Sequence, residues 1–160
     1  MNKAVFLDRD GVVNREIGNY ITSLADFEIN PDVIETLKEF KQKGYLLIVI
    51  TNQGGIAKGM YTHQTLSEIH NKMEEAIAAN GIELDDIYYC PHHPDFTNCL
   101  CRKPLSLLLE KAMAKYKISP AMSYFIGDHE RDMTAGHAVG VNSIKVASNQ
   151  SLFTIKHLIK

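Results

Sequence analysis

A chain of 160 residues, 45% hydrophobic and 22% charged, has the composition of an ordinary folded protein with enough length for one well-covered core, and is expected to form one domain over residues 1–160. A formal net charge of −2 argues against the strongly basic surface that nucleic acid requires, and no apolar run approaches the length of a membrane span. No positively charged segment leads into a long apolar stretch at the N-terminus, so a cytoplasmic monomer with no membrane or nucleic-acid partner is expected.

The first apolar run, Val5-Phe6-Leu7, predicts a fully buried strand and ends abruptly in Asp8-Arg9-Asp10-Gly11. Residues two apart on a strand share a face, so Asp8 and Asp10 project the same way from its C-terminal end. Residues 15–27 lack a helical period and predict a loop or flap over that end. Asn30-Pro31 predicts a helix start, with Val33, Ile34, Leu37 and Phe40 as its apolar face and Gly44 as its stop. Residues 45–50 predict a second strand, ending on Thr51-Asn52-Gln53-Gly54-Gly55. Thr62 caps a predicted long helix with the stripe Leu66, Ile69, Met73 and Ile77.

Residues 87–89 predict a third strand that runs into a window holding all three cysteines, Cys90, Cys99 and Cys101. An odd, clustered set points to a metal rather than to disulfides. A helix is expected from Pro104, a strand over 123–126 ending in Gly127-Asp128, a helix through 133–139, a short strand over 143–146 and a terminal helix from about Ser151. The alternation implies a Rossmann-like α/β fold, with one parallel sheet flanked by helices on both faces.

In such a sheet every strand C-terminus lies along one edge. Asp8 and Asp10, Thr51 and Asn52, and Asp128 with Asp132 therefore converge, and Lys103 can join them. Phosphoryl transfer needs a set of this kind. One carboxylate acts as nucleophile and a second as general acid and base, while lysine and hydroxyl donors hold the phosphoryl oxygens. Magnesium on hard oxygen ligands offsets the repulsion between anions, with Asp8 and Asp128 the best candidates to bind it.

Phe6-Leu7-Asp8-x-Asp10-Gly11, Thr51, Lys103-Pro104 and Gly127-Asp128-x-x-x-Asp132 resemble, in order, the four motifs of the haloacid dehalogenase superfamily. The resemblance implies Asp8 as nucleophile, Asp10 as general acid/base, and Thr51 and Lys103 as the phosphoryl-binding pair. It gives the magnesium to Asp8, Asp128 and the Asp10 backbone carbonyl, and makes Asp132 a supporting acid. The chain has no room for a cap domain at the customary points. A capless site roofed by the flap and by the cysteine loop is therefore expected.

Cys90-Pro91-His92-His93-Pro94 and Cys99-Leu100-Cys101 offer three thiolates and an imidazole, a complete tetrahedral set for structural zinc. Such zinc loops resemble those of two bacterial phosphatase families, acting on heptose bisphosphate and on histidinol phosphate, and the resemblance favours His92 over His93. The segments around Thr51, Cys90 and Arg102 look closer to the heptose enzymes, which implies substrate contacts from Arg102, Asn52, Gln53 and Gly54. His129 stands where those enzymes usually carry lysine, and the segment between His92 and Cys99 is short, as in the histidinol type. His63, His70, His137 and His157 are expected on the surface or on helices.

The leading expectation is thus magnesium-dependent hydrolysis, through an aspartyl-phosphate, of a small phosphorylated metabolite, which the resemblance makes a heptose bisphosphate. Histidinol-phosphate hydrolysis, a catalytically silent zinc-organised binding module and a nucleic-acid 3′-phosphatase are its rivals.

Overall fold

A computed structural model describes residues 1–160. Five parallel strands run in the order β3-β2-β1-β4-β5: β1 (Ala4–Leu7), β2 (Leu46–Asn52), β3 (Asp86–Cys90), β4 (Tyr124–Gly127) and β5 (Asn142–Lys145). Four helices connect them: α1 (Val33–Gln42), α2 (His63–Ala78), α3 (Leu107–Tyr116) and α4 (Glu130–Ala138). No helix is long and apolar enough to cross a membrane.

The period of two in β1 explains the layering. Val5 and Leu7 join α1, α2 and the C-terminal residues in one core, while Ala4 and Phe6 join α3 and α4 in the other. With both faces covered, the central strands are apolar throughout, as parallel sheets require. Residues beyond β3 return across the sheet to place β4 on the far side of β1, so the order reverses beside β1. Ligands of open α/β sheets bind at that switch point. Register then sets the site: Leu7 pairs with Val49 on one side and Ile126 on the other. Asp8 thus emerges one residue past a row from which Thr51 and Asp128 each emerge two residues on.

Thr62 caps α2 as expected, its hydroxyl accepting from the Thr65 amide. Three helices differ from expectation because tertiary bonds claim their ends. Asn30 does not cap α1: its side chain donates to the Val12 carbonyl, and the helix begins after Asp32. The helix after Pro104 starts only at Leu107, because the Asn52 side chain clamps both backbone polar groups of Lys103, and Leu105 stays exposed. The terminal helix is two short 3₁₀ turns, Leu152–Thr154 and Lys156–Leu158, folded onto the core through Leu152, Ile155 and Ile159.

Candidate active site

Asp8 sits at the end of β1 with its side chain 7% exposed. The Lys103 ammonium lies 2.9 Å from Asp8 Oδ1 and 2.7 Å from Asp132 Oδ1, and donates to the Ile50 carbonyl at 2.8 Å. One buried cation therefore bridges two buried acids. Burial pushes the Asp8 carboxyl up to about 7, with Asp132 and Asp10 adding to the rise and Lys103 opposing it. Burial also works against the charge on Lys103, but Asp8 and Asp132 outweigh it and raise its pKa.

Asp10 is held differently. Arg9 points the opposite way from its neighbours into the interior, fully buried, and its guanidinium turns back to Asp10 Oδ1 through Nη2 at 2.8 Å and Nε at 3.3 Å. Asn14 donates to the same oxygen at 2.9 Å and Gln53 to Oδ2 at 2.9 Å. Burial would raise this carboxyl, yet Arg9, Asn14 and Gln53 together hold it below the usual range. Gln53 also donates to the Thr51 hydroxyl at 2.9 Å and accepts from the Tyr61 hydroxyl, so one amide links the first two motifs.

Behind Arg9 stands His70, one of the histidines expected on the surface or on helices; it lies on α2, buried on its core stripe. Its Nε2 accepts from Arg9 Nη1 at 3.3 Å, an orientation that follows because guanidinium only donates. Arg9, His70 and Tyr61 escaped the sequence reading, although a signal existed for two of them. His70 falls four residues after Leu66 and three before Met73, on the apolar stripe. Arg9 falls at the strand position that must face inward when its neighbours face out.

Asp128 follows β4. Its Oδ1 lies 2.7 Å from His129 Nδ1, while Oδ2 is buried with no partner in the protein. Gly11, at φ +84°, is what allows this approach: a methyl group there would fall 2.3 Å from Asp128 Oδ2. Asp8, Asp128, Asp132 and His129 bring donor atoms within 4.8 Å of one another. An orphaned carboxylate oxygen among further carboxylates suits a hard divalent cation, so the residues present fit magnesium. Asp132 also accepts from the His129 amide at 3.0 Å, which starts α4 and fixes the acid that faces Lys103.

A cavity of about 280 Å³ opens over these groups, walled by Asp8, Asp10, Asn52, His129 and Arg131 on the sheet side. The predicted flap supplies the opposite wall through Glu16, Gly18, Asn19 and Tyr20. The cysteine loop does not roof this cavity. It borders the site instead at Gly54, where a Cβ would meet the His92 carbonyl at 3.1 Å and Arg102 Nη1 at 3.0 Å. The residues expected to meet substrate divide accordingly. Asn52 reaches the cavity wall but spends both polar atoms on the Lys103 backbone. Gln53 lies buried behind Asp10 rather than at the mouth, because Asp10, Thr51 and Tyr61 use its amide. Arg102 lines a neighbouring crevice with Cys99 and Lys103, donating to the His92 carbonyl at 3.1 Å.

The four expected zinc donors meet. Cys90 Sγ lies 3.0 Å from Cys101 Sγ, 3.6 Å from Cys99 Sγ and 3.5 Å from His92 Nδ1. These separations are too long for a disulfide, and all three cysteines are free. Four soft donors within 4.8 Å fit a closed zinc site. His93 is turned away and pairs with Asp95 at 3.4 Å.

Among known proteins, the profile of the polynucleotide kinase 3 phosphatase family matches residues 5–152. The D-glycero-beta-D-manno-heptose-1,7-bisphosphate 7-phosphatase of Haemophilus influenzae is 40% identical over 141 residues, 85% of this chain and 76% of that one. The D-glycero-alpha-D-manno-heptose-1,7-bisphosphate 7-phosphatase of Photorhabdus laumondii is 38% identical over 145 residues, 87% of this chain and 79% of that one. The crystal structure of D,D-heptose 1,7-bisphosphate phosphatase from B. bronchiseptica, complexed with magnesium and phosphate, superposes with a TM-score of 0.87 at 32% identity, covering 97% of this chain and 86% of that one.

Proposed function

The chain belongs to the polynucleotide kinase 3 phosphatase family, with the haloacid dehalogenase fold, and we propose that it removes the 7-phosphate from D-glycero-D-manno-heptose 1,7-bisphosphate. The observation that carries this reading is the convergence of Asp8, Asp10, Lys103 and Asp128 on one strand edge, in a chain whose relatives hydrolyse that substrate.

Asp8 attacks phosphorus, a P–O bond to its carboxylate forms and the sugar oxygen leaves with the electron pair of the broken bond. Lys103 neutralises Asp8 at rest and faces the phosphoryl oxygens as charge spreads over them, helped by the Thr51 hydroxyl. Asp10 protonates the departing oxygen and then takes a proton from the water that cleaves the acyl phosphate. Its lowered pKa suits the second task. The arriving phosphate dianion, by adding negative charge nearby, raises it towards the first. Magnesium, held by Asp8, Asp128 and the Asp10 carbonyl, would supply the positive charge that lets an anion approach an anion. Zinc on Cys90, His92, Cys99 and Cys101 would act mechanically, fixing the loop that exits through Arg102 and Lys103.

The family takes its name from a polynucleotide phosphatase; a net charge of −2 and a cavity in which Asp8, Asp10 and Glu16 face Arg131 and His129 favour a small substrate over a polynucleotide. Phosphate release, measured with magnesium across heptose 1,7-bisphosphate, histidinol phosphate and a 3′-phosphorylated oligonucleotide, tests the assignment. The heptose compound is expected to give the highest kcat/KM. Faster release from either competitor overturns it.

A further inference from the structure

Arg131 stands in the first turn of α4 and lines the cavity that holds Asp8 and Asp10, yet its Nε is buried without a hydrogen-bond partner. An unpaired buried guanidinium N–H is costly, and such groups in a binding cavity wait for a ligand acceptor. The acids nearby are not paired with it. Asp128 pairs with His129, Asp132 with Lys103 and the His129 amide, and Glu16 accepts from the Gly18 amide across the cavity.

The other cations around the site do not line the cavity freely: Lys58 lies over the Tyr20 ring and Arg15 faces Glu28, both outside the lining. Lys103 is 1% exposed and spent on Asp8 and Asp132, Arg9 is fully buried on Asp10, and Arg102 is absent from the lining. Arg131 is therefore the guanidinium that faces the cavity with capacity to spare.

We propose that Arg131 binds the phosphate that is not transferred, and so makes the cavity select a sugar bisphosphate over its monophosphate. This rests on the phosphatase reading above. A guanidinium presents paired N–H donors in a rigid fork that matches two phosphate oxygens. Besides Arg131 and the acids, the lining offers the polar side chains of Asn19 and Tyr20, suited to a hydroxylated ring. A volume of about 280 Å³ is close to the lower end of small-molecule sites, about 300 Å³, and admits one sugar with its substituents. His129, the other cationic side chain in the lining, is drawn onto Asp128.

The test compares kcat/KM on heptose 1,7-bisphosphate with that on heptose 7-phosphate, for the parent protein, Arg131→Gln and Arg131→Lys. Arg131→Gln is expected to lower the bisphosphate-to-monophosphate ratio by about 10- to 100-fold, the range of a charge-assisted hydrogen bond, through KM rather than kcat. Arg131→Lys is expected to recover part of that ratio. If the parent prefers the bisphosphate and Arg131→Gln keeps the preference, or loses both activities equally, this assignment is overturned while the function stands. If the parent shows no preference for the bisphosphate, the substrate reading falls and takes this one with it.

Discussion

Arg9 and Asp10 are adjacent in the chain yet form a forked ion pair, with Nη2 at 2.8 Å and Nε at 3.3 Å from one carboxylate oxygen. Removing the fully buried Arg9 leaves Asp10, 25% exposed and still bonded to Asn14 and Gln53, only partly uncompensated, at a cost of about 1–3 kcal/mol. Arg9→Ala is expected to lose stability of that order in urea unfolding. Arg9→Lys keeps the charge but not the fork, so it is expected to fold while kcat falls about 10²-fold as Asp10 loses its orientation. An Arg9→Lys protein with parental kcat would show that the pair is only structural.

His70 gives a pH-dependent stability whose direction is fixed. Burial, with Arg9 adding, pushes its pKa from 6.5 down to about 3. Between these values the unfolded chain binds the proton and the folded one does not, so stability falls as pH drops below about 6.5, by up to about 1.4 kcal/mol per pH unit. His70→Gln retains an acceptor for Arg9 and cannot titrate. Denaturation of the two proteins from pH 7 to pH 4.5 is expected to show the parent losing stability faster. Parallel curves would place the His70 proton elsewhere.

The cysteine cluster ends two residues before Lys103, so the metal site and the phosphoryl grip share one short piece of backbone. Cys99→Ser is expected to lose bound zinc, measured by elemental analysis, to lower the melting temperature and to reduce kcat at least 10-fold. Full activity in zinc-free protein would mean that the Asn52 clamp holds Lys103 without the loop.

The sheet, its order of elements and the convergence of the four motifs were legible because they follow from local pattern: apolar runs of strand length, helical stripes and polar residues at strand ends. The cluster of Cys90, His92, Cys99 and Cys101 was legible for the same reason, its members being close in sequence. The misplaced features are those decided by partners far along the chain. Asn30-Pro31 looked like a helix start until Val12 claimed the Asn30 amide, and Gln53 looked like a substrate contact until Asp10, Thr51 and Tyr61 surrounded it. The start of α3 was set by Asn52, more than fifty residues upstream. Arg131 carried no motif at all, and only the cavity revealed it.

Phosphorylation of Asp8 is the step on which the mechanism turns, and Asp10→Asn is the variant that exposes it. Asp10→Asn removes the acid of the first step as well as the base of the second, so the acyl phosphate is expected to accumulate from a substrate whose leaving group needs no proton, and acid quench with peptide mapping after exposure to p-nitrophenyl phosphate and magnesium should find one phosphoryl group on the peptide bearing Asp8. Turnover by the parent protein with Asp8 never phosphorylated, in either protein at any quench time, would contradict the account.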